Sequence, residues 1–279
     1  MTLSVGLIGF PVEHSLSPVF QQVALDALGI PARYELWPTP PAELQQRLAS
    51  LRAPGTVGAN VTVPHKEAVA QLVDELAPRA RRVGAVNTVI VRGQRLLGDN
   101  TDVPGFLLPL RERGLPLADF RVTLLGAGGA ARAVIVALLD QGCRHLTIAN
   151  RTPERARQLV AEFGIGHALT LGPEVLTVLG ETDLLVNATS LGWDGRASPI
   201  PLDWLGQLPP HALVYDLTYR ETPLLVTARQ SGRAALDGLE MLVAQGAESF
   251  RLWFEREPPF DLMLRAAEEA RAHRFGTIG

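Results

Sequence analysis

The sequence predicts an α/β protein in two domains: an N-terminal mixed sheet covered by helices, then a doubly wound parallel sheet, with C-terminal helices returning to the first domain. Three observations lead there. Apolar runs of strand length alternate with longer amphipathic segments through most of the chain. One such run, Arg121–Leu125, enters a glycine-rich turn and then a helical pattern, the opening of repeated βαβ units. The last stretch, Leu239 to Arg274, is almost wholly helical, and the first sheet needs helices to cover it.

A strand over 3–9 opens the first domain, followed by a loop and a helix from Pro18 to about Leu28. Ser17 before Pro18 reads as the N-cap of that helix. A strand near Arg33–Trp37 precedes a helix begun by Pro40-Pro41, because proline is tolerated in a first turn. A strand over 57–61 leads to a helix after Pro64. Val86–Val91 and Arg95–Leu97 flank a turn at Gly93 and read as a hairpin. The second domain starts near Val103 with a helix and the Pro116 loop. Strand Arg121–Leu125, helix 130–141, strand 145–149 and helix 153–163 follow, then strands at Asp183–Val186 and Ala212–Asp216. The C-terminal helical stretch breaks at Pro258-Pro259, and its first half carries Gln245 among Leu239, Leu242, Val243, Phe250 and Phe254.

Bulk properties narrow the function classes. With 279 residues and 47% hydrophobic content the chain can bury a sizeable core. A net charge of −3 argues against nucleic acid, which calls for a basic face. Cys143 is alone, so it forms no intrachain disulfide and no cysteine-rich zinc site; a packing role is expected, and no metal. The N-terminal run reads as a buried strand rather than a signal peptide, and no apolar run approaches a membrane span. A cytoplasmic protein with no membrane partner is expected.

Lysine occurs once, as Lys66, against 25 arginines. Arginine stays protonated, whereas a lysine amine can lose and regain its proton when its surroundings shift its pKa. A lone lysine in this background is therefore a candidate for proton transfer. It closes an apolar run studded with polar residues, Gly58-Ala59-Asn60-Val61-Thr62-Val63-Pro64-His65-Lys66. The five asparagines, Asn60, Asn87, Asn100, Asn150 and Asn187, mostly end apolar segments, where sites are built. Asp102, in Gly98-Asp99-Asn100-Thr101-Asp102, is a plausible partner that fixes the amine's position and charge. The EF-hand spacing is missing, which argues against calcium. Ser15 and Ser17, near a helix start, would suit a substrate carboxylate.

Gly126-Ala127-Gly128-Gly129-Ala130-Ala131 follows a strand and opens a helix. Small residues let the backbone approach a pyrophosphate, and the helix N-terminus offers N–H groups and a positive dipole end. A Rossmann-like dinucleotide site is the reading. The next strand ends in Asn150-Arg151-Thr152, with Arg155 one turn on. An NAD site usually carries an acid here; an amide, guanidinium groups and a hydroxyl suit a 2′-phosphate, hence NADP. Thr152 before Pro153 also reads as a helix cap.

Together these segments resemble the shikimate dehydrogenase family. The resemblance rests on His14–Pro18, Asn60–Lys66, Gly84–Thr88, Asn100–Asp102, Gly126–Ala130, Asn150–Thr152, Asn187–Gly192, Tyr215–Tyr219 and Asp237–Gln245, in the family's order over nearly the whole chain. It implies reversible NADP-dependent reduction of 3-dehydroshikimate to shikimate on the route to aromatic amino acids. It implies a substrate domain over 1–102, completed by helices over 239–279, and an NADP domain over 103–238. Carried over by position, Ser15, Ser17 and Tyr219 would hold the substrate carboxylate. Asn60, Thr62, Asn87, Asp102 and Gln245 would bind the ring hydroxyls. Lys66 would donate and accept the proton beside Asp102. Gly126, Ala127, Gly128, Gly129, Ala130, Asn150, Arg151, Thr152 and Arg155 would hold NADP(H), with Thr189, Leu217 and Gly238 nearby. Trp193 stands where the family often has methionine, Arg220-Glu221 makes a short segment before Thr222, and Pro78 replaces an acid of some relatives.

Two other readings stay open. A quinate/shikimate dehydrogenase with relaxed cofactor use would tend to carry an acid after the second strand of the cofactor domain or a threonine in the serine pair, and neither is seen. A non-catalytic NADP or metabolite sensor would be expected to lose Lys66 or Asp102, and both are present. The sequence does not give the oligomeric state, and a homodimer stays open.

Overall fold

The computed structural model describes residues 2–276. Residue 1 and residues 277–279, at the outer ends of the expected domain ranges, lie outside the described residues. The chain forms two compact units, 2–108 with 240–276, and 109–239.

The first unit runs β1 (Leu3–Gly9), α1 (Ser17–Ala27), β2 (Ala32–Pro38), α2 (Leu44–Ser50), β3 (Thr56–Val61), α3 (Lys66–Leu72), β4 (Glu75–Leu76), α4 (Pro78–Val83), β5 (Thr88–Arg92), β6 (Arg95–Asp99) and the start of α5 (Asp102–Glu112). Among the described residues its sheet has six strands in the order β2-β1-β3-β5-β6-β4. β1, β2 and β3 are parallel, β5 is antiparallel to β3 and β6, and β4 is parallel to β6, so the sheet is mixed. Ile8, Ala59, Val61, Val86, Val89 and Leu96 pack with Leu44 and Leu48 into a closed core. Each buried leucine or isoleucine there contributes about 1.5–3 kcal/mol against its exposed state.

The second unit takes the rest of α5, then β7 (Arg121–Leu125), α6 (Gly129–Asp140), β8 (His145–Asn150), α7 (Pro153–Phe163), β9 (His167–Thr170), α8 (Leu176–Leu179), β10 (Leu184–Asn187), β11 (Leu213–Asp216), α9 (Pro223–Gln230) and β12 (Ala234–Leu236). Its strands are parallel in the order β12-β11-β10-β7-β8-β9. The chain moves outward from β7 to β9 and then returns to place β10 beside β7. That reversal is a topological switch point, where such sheets bind ligands. Helix α6 is buried from Ala131 to Leu138 because both its flanks are covered.

The chain ends in α10 (Leu239–Phe254) and α11 (Phe260–Phe275). Within the first unit, Trp253 of α10 donates its indole N–H to the Val89 carbonyl at 2.9 Å, and α11 packs on α1. The C-terminal helices therefore cover the first sheet.

Two capping expectations need correction. Helix α1 begins at Ser17 itself, with Leu16 at the N-cap position and no side-chain cap. Ser15 Oγ instead accepts the Ser17 N–H at 3.1 Å, so the capping role falls two residues earlier. Thr152 does stand at the N-cap of α7, but its side chain makes no capping hydrogen bond. Asn150 Nδ2 holds that turn by donating to the Thr152 carbonyl at 2.8 Å. The first arm of the hairpin starts at Thr88, because Gly84 adopts the left-handed conformation at the end of α4 and 85–87 form the return loop. The sequence reading also lacks β4, α4, β9, α8, α9 and β12, which are short segments of at most eight residues.

Candidate active site

In the first unit the ends of β3, β5 and β6 and one face of α10 bring a set of polar side chains together. Lys66 is the first residue of α3 and Asp102 the first of α5. Lys66 Nζ donates to Asp102 Oδ2 at 2.6 Å, with the two side chains 15% and 6% exposed. The Lys66 backbone is fixed as well, its carbonyl accepting the Val86 N–H at 2.8 Å. An ammonium carries three N–H groups, so the pair leaves two to serve a ligand.

Asp102 is oriented from its other side. Asn87 Nδ2 donates to Asp102 Oδ1 at 2.9 Å, and shares its hydrogens with Thr101 Oγ1 at 2.9 Å and Gln245 Oε1 at 3.2 Å. The Thr101 N–H donates to Asn87 Oδ1 at 2.7 Å. A backbone N–H can only donate, so this contact settles which way the Asn87 amide faces. Gln245 reaches the group because Gly105 lets α10 come close to α5: a Cβ at Gly105 would lie 2.8 Å from Gln245 Cβ.

Asn60 Nδ2 reaches the Asn87 carbonyl at 3.3 Å and Thr88 Oγ1 at 3.4 Å, and Asn60 has two further partners that sequence reasoning missed, Ser249 and Tyr34. Ser249 Oγ donates to the Gln245 carbonyl at 2.9 Å and accepts from Asn60 Nδ2 at 2.9 Å. That places Asn60 Oδ1 toward Tyr34, whose hydroxyl donates to it at 2.8 Å. Burial pushes the Tyr34 phenol well above its usual range, while a hydrogen bond with the Ser17 side chain pulls the other way. Ser249 lies four residues after Gln245, on the same helical face, and that spacing was the available signal. Tyr34 had none, since an aromatic in a strand reads as core.

Other expected groups stand apart from this network. Thr62 is half-buried on the turn after β3, against Gly9. Ser15 is half-buried at the entry to α1. His65 is buried, its Nε2 donating to the Thr39 carbonyl at 2.6 Å, which anchors the turn before Lys66. Among the described residues no cluster of His, Cys, Asp and Glu could hold a metal ion. Cys143 is buried, which pushes its thiol up and leaves it inert.

In the second unit the expected cofactor residues line the carboxyl ends of successive strands. Gly238 follows β12, Leu217 follows β11, Thr189 follows β10, Gly126 follows β7 and Asn150 ends β8. Four inter-strand spacings make a strip of about 19 Å. Gly126 has φ +112°, and a Cβ there would meet the Ala188 backbone at 3.1 Å, so glycine is required. A Cβ at Gly128 would meet nothing within 4 Å. Gly128 precedes α6, whose first-turn N–H groups have no carbonyl before them to pair with. Open space over unpaired N–H groups fits a pyrophosphate. Arg151, Thr152 and Arg155 are exposed beside Asn150. Trp193 stands edge-on to Tyr219 with ring centroids 4.8 Å apart, and the Arg220 guanidinium lies 5.7 Å from the Trp193 ring centroid.

Comparison with known proteins bears directly on this arrangement. The family model described as "Shikimate dehydrogenase substrate binding domain" matches residues 7–89, "Shikimate / quinate 5-dehydrogenase" matches 110–192, and "Shikimate 5'-dehydrogenase C-terminal domain" matches 238–268. The chain is 46% identical to a shikimate dehydrogenase (NADP(+)) of Symbiobacterium thermophilum, over 94% of this chain and 92% of the relative. It is 45% identical to that of Moorella thermoacetica, over 98% and 95%. The crystal structure of shikimate 5-dehydrogenase from Thermus thermophilus, in complex with NADP(H) and shikimate, matches with a TM-score of 0.87 at 42% identity, covering 96% of this chain and 100% of that one.

Proposed function

We propose, for a chain that belongs to the shikimate dehydrogenase family, that Lys66 and Asp102 are its proton-transfer pair. The reaction is the NADP-dependent, reversible reduction of 3-dehydroshikimate to shikimate. The observation that carries the residue assignment is the 2.6 Å contact between Lys66 Nζ and Asp102 Oδ2 in a largely buried setting.

When bound, NADPH supplies the hydride. The chain's own residues handle charge and the proton. As the ketone becomes an alcohol its oxygen gains negative charge, and a Lys66 N–H not taken by Asp102 donates to it. The proton then passes to that oxygen, and the amine regains one through its exposed side. In the reverse direction Lys66 accepts the hydroxyl proton. Asp102 holds the amine in place, and Asn87 holds Asp102. Asn60, Thr62, Asn87, Asp102 and Gln245 bind the ring hydroxyls. Ser15, Ser17 and Tyr219 take the substrate carboxylate.

Gly126–Ala130 would cradle the pyrophosphate, and Asn150, Arg151, Thr152 and Arg155 the 2′-phosphate. Thr189 would stand near the bound NADP, and Leu217 and Gly238 near its nicotinamide. No described helix is long and apolar enough to cross a membrane. A cytoplasmic location is part of the proposal.

The test is to mix purified protein with shikimate and NADP and follow the reduced nicotinamide by absorbance. NAD, quinate and a Lys66→Ala variant are run alongside. Fast turnover with shikimate and NADP, lost in the variant while NADP still binds, is the expected result. A folded, NADP-binding protein that oxidises no shikimate sinks the reading.

A further inference from the structure

Asp216, the last residue of β11, is completely buried and has no role in the chemistry above. Its contacts are all neutral donors. Oδ1 accepts from Asn187 Nδ2 at 3.1 Å and from the Thr218 N–H at 3.0 Å, and Oδ2 accepts from Thr222 Oγ1 at 2.9 Å. Asn187 and Thr222 are also completely buried. A buried carboxylate facing no cation is costly, and burial accordingly pushes its pKa up. An apolar pair would fill the same space without that cost.

The hydrogen bonds show what the carboxylate does. Asn187 ends β10, and its Oδ1 accepts from the Thr189 N–H at 3.0 Å and the Thr189 hydroxyl at 2.7 Å. Its Nδ2 also donates to the Leu191 carbonyl at 3.1 Å. Thr222 caps α9, its Oγ1 accepting from the Leu225 N–H at 3.3 Å. One unbroken chain of hydrogen bonds therefore runs from Thr189 through Asn187 and Asp216 to Thr222. It joins the turn after β10 to the turn after β11. The two turns also touch: a Cβ at Gly192 would meet Thr222 Cγ2 at 3.1 Å, and Arg220 Nη1 donates to the Trp193 carbonyl at 2.5 Å.

We propose that Asp216 is a positioning residue for the cofactor, locking these two turns together so that Thr189 and Leu217 present one fixed surface to bound NADP. The inference rests on the proposed assignment of Thr189 and Leu217 to NADP. It deepens that assignment by naming the group that holds both. Asn187 and Thr222 transmit the constraint; neither needs to touch the cofactor.

Asp216→Asn keeps the shape and removes the charge. Its amide oxygen can serve the Asn187 and Thr218 donors, but its NH2 then faces Thr222 Oγ1, whose own hydrogen is left without an acceptor. Thr222→Val removes one hydrogen bond, and Thr222→Ser keeps it. NADP binding is measured directly by fluorescence titration, and KM for NADP and for shikimate separately. The expected result for Asp216→Asn is a roughly tenfold rise in both NADP Kd and NADP KM, with shikimate KM within about twofold. Thr222→Val falls between, and Thr222→Ser stays close to the parent. A purely structural role would lower the unfolding midpoint and leave the folded fraction's NADP Kd unchanged.

A folded Asp216→Asn variant with an unchanged NADP Kd overturns the proposal, as does an equal rise in both KM values. Should Asp216→Asn fail to fold, Thr222→Val decides by the same Kd measurement. The Kd needs no turnover, so this result stands separately from the activity assay.

Discussion

Replacing Asp102 by asparagine keeps the side-chain outline and changes only what its two outer atoms can do. In the parent, Oδ2 accepts from Lys66 at 2.6 Å and Oδ1 accepts from Asn87 at 2.9 Å. An amide has one oxygen. Whichever way it turns, its NH2 meets a donor, either the Lys66 ammonium or the Asn87 amide. The loss of a charge-assisted hydrogen bond is about 1.5–3 kcal/mol, and breaking a buried ion pair costs about 3–5 kcal/mol. Lys66 keeps 15% of its side-chain surface in water, which favours the lower end of the second range. A value of about 3 kcal/mol follows, or roughly a hundredfold in kcat/KM if the lost orientation matters at the transition state. The assay is steady-state oxidation of shikimate with NADP, with circular dichroism to confirm folding and a separate NADP titration. NADP affinity is expected to hold. A folded Asp102→Asn variant within about threefold of the parent in kcat/KM would refute the reasoning, because the geometry allows no rotamer without a donor clash.

Three further expectations separate the parts of the site. Lys66→Arg keeps a cation that can pair with Asp102 but does not release its proton, so turnover should fall by about a thousandfold; a loss below about tenfold means that charge alone suffices. Tyr34→Phe strips the donor from the buried Asn60 oxygen, at a cost of about 1–3 kcal/mol, so the unfolding midpoint should drop and shikimate KM rise while NADP KM stays. Unchanged shikimate KM in that variant removes Tyr34 from the substrate side. Asp216 has a folded pKa raised above 3.8, so the native state holds its proton more tightly than the unfolded chain does. Its contribution to stability is greatest below the unfolded value and is lost as pH rises through the folded one. The stability of the parent relative to Asp216→Asn should therefore shrink with rising pH above about 4, read from urea midpoints; a margin that grows with pH contradicts it.

Lys66 was legible because its signal is compositional and needs no spatial information: one residue type is scarce, and the scarce residue closes an unusual segment. The glycine turn after β7 was legible because strand, turn and helix are contiguous. Elements of the second sheet escaped for the opposite reason. β9 and β12 are four and three residues long and partly exposed, too short to show a period. The Ser17 cap was misplaced because the rule identifies a residue type at a boundary, and here Ser15, two residues earlier, supplies the oxygen that accepts the Ser17 N–H.

The harder residues to find act between segments far apart in the chain. Asn87 and Gln245 are 158 positions apart, Asn60 and Ser249 189, yet each pair is within hydrogen-bond reach. Without the resemblance, no local pattern at Gln245 points to Asn87; only the close crossing of α10 over α5 at Gly105 joins them. Tyr34 and Asp216 share a further difficulty, since each lies in a strand and reads locally as a buried end or a packed ring. What distinguishes them is their partners: a phenol aimed at a buried amide oxygen, and a carboxylate facing three neutral donors. Both features cost free energy unless the partners are held in place. The directionality of the donors is what makes the first unit's network specific. The Gln245 carbonyl and the Thr101 N–H each permit one role, and those two fixed ends decide how Ser249, Asn60 and Asn87 face. Asp102 therefore meets Lys66 through Oδ2 with Oδ1 already committed to Asn87.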